Sequence, residues 1–241
     1  MKIREDTESH MQQLQAWLAE TQNQELEEMA AFFARRTDEY EAHMAVWADA
    51  YRKFARLLPE QCGCILDLGC GTGLELDEIW KQNPRLAVTG VDLCRPMLDQ
   101  LQKKHPDKPL TTVCADYFRY DMGKDKWDAV ISFESLHHFF PEQKSRLYRR
   151  IFTSLKPGGW FLLGDYIACC DAEETLLRRT YLEKRKKARI PDDVFVHFDI
   201  PLTLTHEIDL WREAGFSEVT AVDSIAGATL LTAKKAAEPS A

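Results

Sequence analysis

The run Gly69-Cys70-Gly71-Thr72-Gly73 places a glycine at every second position directly after an apolar stretch. Glycine reaches left-handed backbone angles and lets a main chain approach a ligand closely, so this loop can cradle a small molecule. Its spacing is G-x-G-x-G, unlike the G-x-G-x-x-G of dinucleotide sites, and Asp67 stands two residues before it. A carboxylate there opposes a pyrophosphate and attracts a cation. Two further acids close later apolar runs: Asp92 after Val88-Thr89-Gly90-Val91, and Asp116 after Cys114-Ala115. Asp92 can accept both hydroxyls of a ribose; Asp116, beside Tyr117, can accept from an adenine amine while Leu93, Met97 and Phe118 cover the ring. Each acid alone could as well cap the helix or turn that follows it.

Taken together, the glycines and the three acids describe a site for a nucleoside with positive charge at its far end. S-adenosylmethionine, with its ammonium and its sulfonium, has that form. Methyl transfer from a sulfonium is an in-line displacement, so the protein has chiefly to align the nucleophile and exclude water, and needs a base only where the nucleophile holds a proton. Glu134-Ser135-Leu136-His137-His138-Phe139 leaves a fourth apolar run where that chemistry would occur, and either histidine can take a proton near neutral pH. His197 and Asp199, in His197-Phe198-Asp199-Ile200-Pro201, are candidates to face the acceptor. The plain alternatives are capping for the histidines and a self-bonded loop for Asp199.

These residues need a rigid frame. From Cys64 onward, Cys64 to Leu68, Ala87 to Asp92, Leu110 to Cys114, Ala129 to Phe133 and Trp160 to Leu163 read as strands buried on both faces, alternating with helical stretches. That pattern predicts an α/β, Rossmann-like three-layer sandwich on a mainly parallel sheet. Pro96 and Pro141 mark helix starts, and Lys156-Pro157-Gly158-Gly159 is expected to stop a helix before the fifth strand. Thr205 is expected to cap a helix from Glu207 to Ala214, stopped by Gly215. Glu218 to Val222 and Ala228 to Ala233, separated by Ile225-Ala226-Gly227, should then pair antiparallel. Before Cys62 the apolar residues recur at helical spacing and predict about three helices. Residues 1–60 are therefore read as an N-terminal helical lid, 61–235 as one Rossmann-like unit and 236–241 as a tail.

Ile65-Leu66-Asp67-Leu68-Gly69-Cys70-Gly71-Thr72-Gly73, Gly90-Val91-Asp92, Ala115-Asp116, Phe133-Glu134-Ser135-Leu136-His137-His138-Phe139 and Leu155-Lys156-Pro157-Gly158-Gly159 resemble, in order, the successive motifs of class I S-adenosylmethionine-dependent methyltransferases. The resemblance covers roughly Gln61 to Asp165. It implies a seven-stranded sheet ordered 3-2-1-4-5-7-6 with strand 7 antiparallel. It also implies Asp92 on ribose, Asp116 on adenine and the Gly69 region on the methionine moiety; Asp67, Gly71, Gly73 and Glu134 are further cofactor candidates. The segment from Arg35 to Met44 is similar to one in small-molecule members where a tyrosine nears the cofactor, which makes Tyr40 a candidate; packing on a helix is its plain alternative.

With 45% apolar and 29% charged residues, the chain has enough apolar content for one large α/β core. No run approaches the roughly 18 apolar residues of a membrane span, and the seven cysteines suit a reducing compartment, so the expected location is the cytoplasm. Neither Cys62-Gly63-Cys64 nor Cys169-Cys170 has the spacing of a zinc site, and no metal is expected. A net charge of −8 disfavours nucleic acid except at Arg178, Arg179, Lys184, Arg185, Lys186, Lys187 and Arg189, which an RNA acceptor could use and a solvated helix face explains more simply. The expected partner is a small-molecule acceptor, with a homodimer open. The alternatives are a tRNA-modifying methyltransferase, a nicotinamide dehydrogenase and a non-catalytic cofactor-binding protein.

Overall fold

In the computed structural model, which describes residues 1–237, seven strands form one sheet. Of the tail read at 236–241, residues 238–241 lie outside the described residues. The strands are β1 (Cys64–Leu68), β2 (Ala87–Asp92), β3 (Leu110–Cys114), β4 (Trp127–Phe133), β5 (Leu155–Tyr166), β6 (Ser217–Ile225) and β7 (Ala228–Lys234), in the order 3-2-1-4-5-7-6. β7 runs antiparallel to both β5 and β6, and the other pairings are parallel.

The apolar runs are continuous because both faces of the sheet are covered. Leu66, Val130 and Phe161 pack with Leu147, Tyr148 and Trp211 of α6 (Pro141–Ser154) and α8 (Leu204–Glu213) on one face. Ile65, Ile131 and Leu162 pack with Tyr51, Phe54 and Ile79 of α3 (Ala48–Leu57) and α4 (Leu74–Gln82) on the other. Each fully buried large apolar side chain contributes about 2 kcal/mol. α3 thus packs in the sheet's own core, although it lies within the stretch read as a lid.

α1 (Thr7–Glu20) and α2 (Met29–Met44) lie apart from that core. Leu18 of α1 packs with Leu177 and Tyr181 of α7 (Asp171–Ala188) and with Val196, Phe198 and Ile200. His10 meets the buried Glu173 at 2.6 Å, and Lys184 donates to the carbonyls of Thr21 and Gln24 at the end of α1. Met29, Ala30 and Phe33 of α2 roof a cleft at the carboxyl edge of the sheet.

Two expectations need correction. Lys156 to Gly159 lies within β5: Leu155 pairs with Trp127 and Trp160 with Ala129, so the segment bulges out of a strand that begins directly after α6. A Cβ on Gly159 would sit 2.8 Å from the Lys156 carbonyl, which explains that glycine. The last helix begins at Leu204 rather than Glu207, with Thr203 in the cap position, because the Glu174 carboxylate accepts from the Thr203 N–H at 2.7 Å and holds the chain there. The β6–β7 turn places Ala226 and Gly227 at φ 51° and 95°, the left-handed pair of a tight two-residue hairpin. Among the described residues no helix is long and apolar enough to cross a membrane, and all seven cysteines are free.

Candidate active site

β1 ends at the glycine loop, where Gly69 and Gly71 take φ values of 75° and 48°. A Cβ on Gly69 would fall 2.1 Å from the Ser135 hydroxyl oxygen, so the loop and the β4 exit approach more closely than any side chain permits. The Asp92 carboxylate accepts from Gly71 N–H at 3.0 Å and Cys94 N–H at 2.7 Å, tying the second strand to the loop. Burial pushes Asp92 up, and these backbone donors pull against that shift.

The cleft is lined by Tyr40, Gly69, Gly71, Asp92, Leu93, Met97, Asp116, Tyr117 and Glu134, all expected from the sequence. It is lined as well by Met29, Phe33, Ser135, Phe139 and Phe195, which were not singled out as ligand residues. Met29 and Phe33 were visible as part of an apolar stripe, but nothing local distinguishes a stripe that roofs a ligand from one that packs a core.

Asp67 and Gly73 do not line the cleft. Asp67 is fully buried beneath the loop, and both its carboxylate oxygens lack hydrogen-bond partners among the described residues. Burial, and then the neighbouring Glu75, push it well above the carboxylate range, while burial raises Glu75 to about 7. Gly73 caps α4, and a Cβ there would meet Leu101 at 2.5 Å. The third glycine therefore serves the packing of α4 on α5 (Arg95–Lys104).

S-adenosylmethionine suits this cleft on three counts. The acids Asp67, Glu75, Asp92 and Glu134 cluster around the glycine turn, and among the described residues none pairs with a lysine or arginine. Left-handed glycines let the main chain meet the ligand, and Leu93, Met97 and Phe118 supply an apolar slot beside Asp116.

A second, larger cavity adjoins the first, and the two share Phe33, Tyr40, Glu134 and His138 as a common wall. Glu134 has a left-handed backbone (φ 49°), a strained angle for a non-glycine residue, and its Oε1 is buried without a partner. Burial raises its carboxyl to about 8, with His137 pulling the other way. His137 is held at Nδ1 by Asp165 at 2.6 Å, with Asp199 3.4 Å from Nε2. Burial alone would lower His137, but Asp165 and Asp199 outweigh it and carry the imidazole well above its ordinary range.

His138 contacts the Phe198 carbonyl at 3.2 Å and Asp199 at 3.3 Å, and burial and the neighbouring His137 lower it. His197 lines the second cavity but stacks on Phe32 with centroids 3.6 Å apart, and burial followed by His138 pushes it down to about 3. It therefore stays neutral and is a poor proton acceptor. Asp165 and Asp199 are the partners that sequence spacing could not connect to His137. The fold also brings His137, His138 and Asp199 within 4.8 Å of one another, and likewise His10, Cys169 and Glu173, groupings that no spacing rule for metal sites would reveal.

Comparison with known proteins bears on the same segment. Residues 65–159 match the methyltransferase domain family. The biotin biosynthesis bifunctional protein BioHC of Teredinibacter turnerae is 28% identical over 168 residues, which are 64% of this chain and 26% of that protein. The cypemycin N-terminal methyltransferase of a Streptomyces species is 33% identical over 137 residues, 55% of this chain and 50% of that protein. The chain thus spans about a quarter and a half of the lengths of these two curated relatives. Human N-acetylserotonin methyltransferase, solved with S-adenosylmethionine, superposes with a TM-score of 0.62 at 21% identity, covering 83% of this chain and 56% of that one. At that identity the likeness is one of fold.

Proposed function

We propose that this chain is a class I S-adenosylmethionine-dependent methyltransferase that methylates a small-molecule acceptor held in the second cavity, a reading supported by the methyltransferase domain match at residues 65–159 and by the strand order. The observation that carries this reading is the shared wall: a molecule in the larger cavity lies next to one in the glycine-loop cleft, with Tyr40, Glu134 and His138 between them.

S-adenosylmethionine, bound in the first cleft, supplies an electrophilic methyl carbon on a sulfonium that departs as a neutral thioether. Asp92 would hold the ribose, Asp116 and Phe118 the adenine, and the Gly69 turn the methionine end. Tyr40, Phe33 and Met29 cover the cleft and keep water from it, as a lid does. His137 would accept the acceptor's proton at Nε2, with Asp165 orienting the ring through Nδ1 at 2.6 Å.

The open second cavity favours turnover over mere sensing of the cofactor. An RNA acceptor draws less support, since the basic helix spends Lys184 on the carbonyls of α1 and buries Arg185 against Tyr181 and Val194. Calorimetric titration of wild type and Asp92→Ala with S-adenosylmethionine, S-adenosylhomocysteine and NAD tests the premise. The first two should bind wild type and lose roughly tenfold or more in the variant, the scale of a charge-assisted hydrogen bond. A preference for NAD would overturn the reading.

A further inference from the structure

We propose that the acceptor is an aromatic acid, and that Arg4 is the subsite that receives its acidic group; this rests on the methyltransferase reading. Arg4 lines the second cavity and is carried there by the N-terminal segment, which is fixed to the last hairpin where the Ser224 hydroxyl donates to the Ile3 carbonyl at 3.2 Å. Its guanidinium carbon lies 6.0 Å from the Tyr166 ring centroid, and its Nη2 lies 3.5 Å from where a Cβ on Gly227 would be.

Among the described residues Arg4 has no counter-charge. Its Nε is buried without an acceptor, and among the described residues no carboxylate lies within 4.0 Å of the guanidinium. The other arginine of the cavity, Arg36, is held by Glu27 at 3.0 Å. A partly desolvated guanidinium without an anion is costly, and its planar fork matches a carboxylate or a phosphate. A ligand's acid would supply the missing partner.

The remaining walls call for a flat ring. Phe32 and His197 present a stacked pair, and Trp47 spends its indole N–H on the Ala226 carbonyl, leaving only apolar ring surface. Position matters as much as composition. Tyr166 has the Arg4 guanidinium 6.0 Å from its centroid and the His137 ring also at 6.0 Å, so one small aromatic molecule can reach both. Its acid would then face Arg4 and its nucleophile His137. Three carboxyls line the cavity: burial raises Glu134 to about 8, Asp199 is matched by His137 and His138 at 3.4 and 3.3 Å, and Glu39 remains as an acidic neighbour.

The test is calorimetry on wild type, Arg4→Gln and Arg4→Lys saturated with S-adenosylhomocysteine. The titrants are hydroxylated benzoates, cinnamates and indole carboxylates, each beside its neutral primary amide, together with matching aryl phosphates. The proposal predicts at least one acid binding roughly tenfold tighter than its amide, a preference lost in Arg4→Gln and partly kept in Arg4→Lys. The carboxylate and phosphate arms identify which acid the subsite prefers. Equal binding of acids and amides, a preference that survives Arg4→Gln, or no binding by any acid would overturn it. Unchanged S-adenosylhomocysteine affinity in the variants shows that they fold. Failure of S-adenosylhomocysteine to bind wild type would be a separate result, against the methyltransferase reading itself.

Discussion

In the proposed mechanism His137 carries the most demanding role, because a base must be free of its proton when the acceptor arrives. Burial disfavours the imidazolium, yet Asp165 at 2.6 Å and Asp199 at 3.4 Å hold it well above the ordinary histidine value. The charged form is therefore favoured, and the methylation rate should rise with pH through a value above that of an ordinary histidine. Asp165→Asn should shift that profile to lower pH while reducing the maximal rate, and His137→Gln should abolish the rise; a flat profile in wild type would remove His137 from the mechanism. Treatment with a chelator should leave the rate unchanged. The place of His137 at the exit of the fourth strand, on the wall of the second cavity, was legible from the apolar run before it. Asp165 and Asp199 were read at the same mouth, but their contact with His137 was not legible, because both lie far away in sequence and only strand pairing and the loop ending at Ile200 bring them to it. Asp67 is the reverse case: its position beside the glycines was legible, but its complete burial beneath the loop, outside the cleft lining, was not, because the packing on both faces of the sheet decides it.

Helices and strands were readable where a local signal decides them. The alternation of buried runs with helices located all five parallel strands, since a strand covered on both faces must be apolar throughout. Ends were lost where a tertiary partner decides, as with Glu174 at Thr203 and Trp127 opposite Leu155. The same long-range control fixes α6 against α8. Lys144 and Glu207, both fully buried, meet at 2.8 Å, while Tyr148 and Trp211 also donate to Glu207. Lys144→Met should cost about 3–5 kcal/mol by leaving Glu207 charged and buried, and adding Glu207→Leu should recover much of that loss. Chemical denaturation of the two variants measures both effects; equal stability of the single and double variants would show that the pair is uncoupled.

For the whole molecule, the buried acids make stability depend on pH and on the ligand. Glu75 and Glu134 hold their protons to about 7 and 8, above the values of an unfolded chain, so between pH 6.5 and 8 the folded state binds more protons than the unfolded one. Stability of the ligand-free protein should fall as pH rises through that window. His137, raised as well, adds a contribution present below 6.5 and lost at higher pH, with the same sign. A cationic ligand favours the ionised acids, so saturating S-adenosylmethionine should flatten the slope and release protons at pH 7. Thermal melts across the window, and calorimetry in buffers of different ionisation enthalpy, would detect either failure. The strand order has a further consequence for synthesis on the ribosome. β7 lies between β5 and β6, so β6, translated first, has no strand to pair with until β7 follows it. Throughout that interval the nascent chain presents the open edge of β5 to its surroundings, the period in which chaperone protection would matter most.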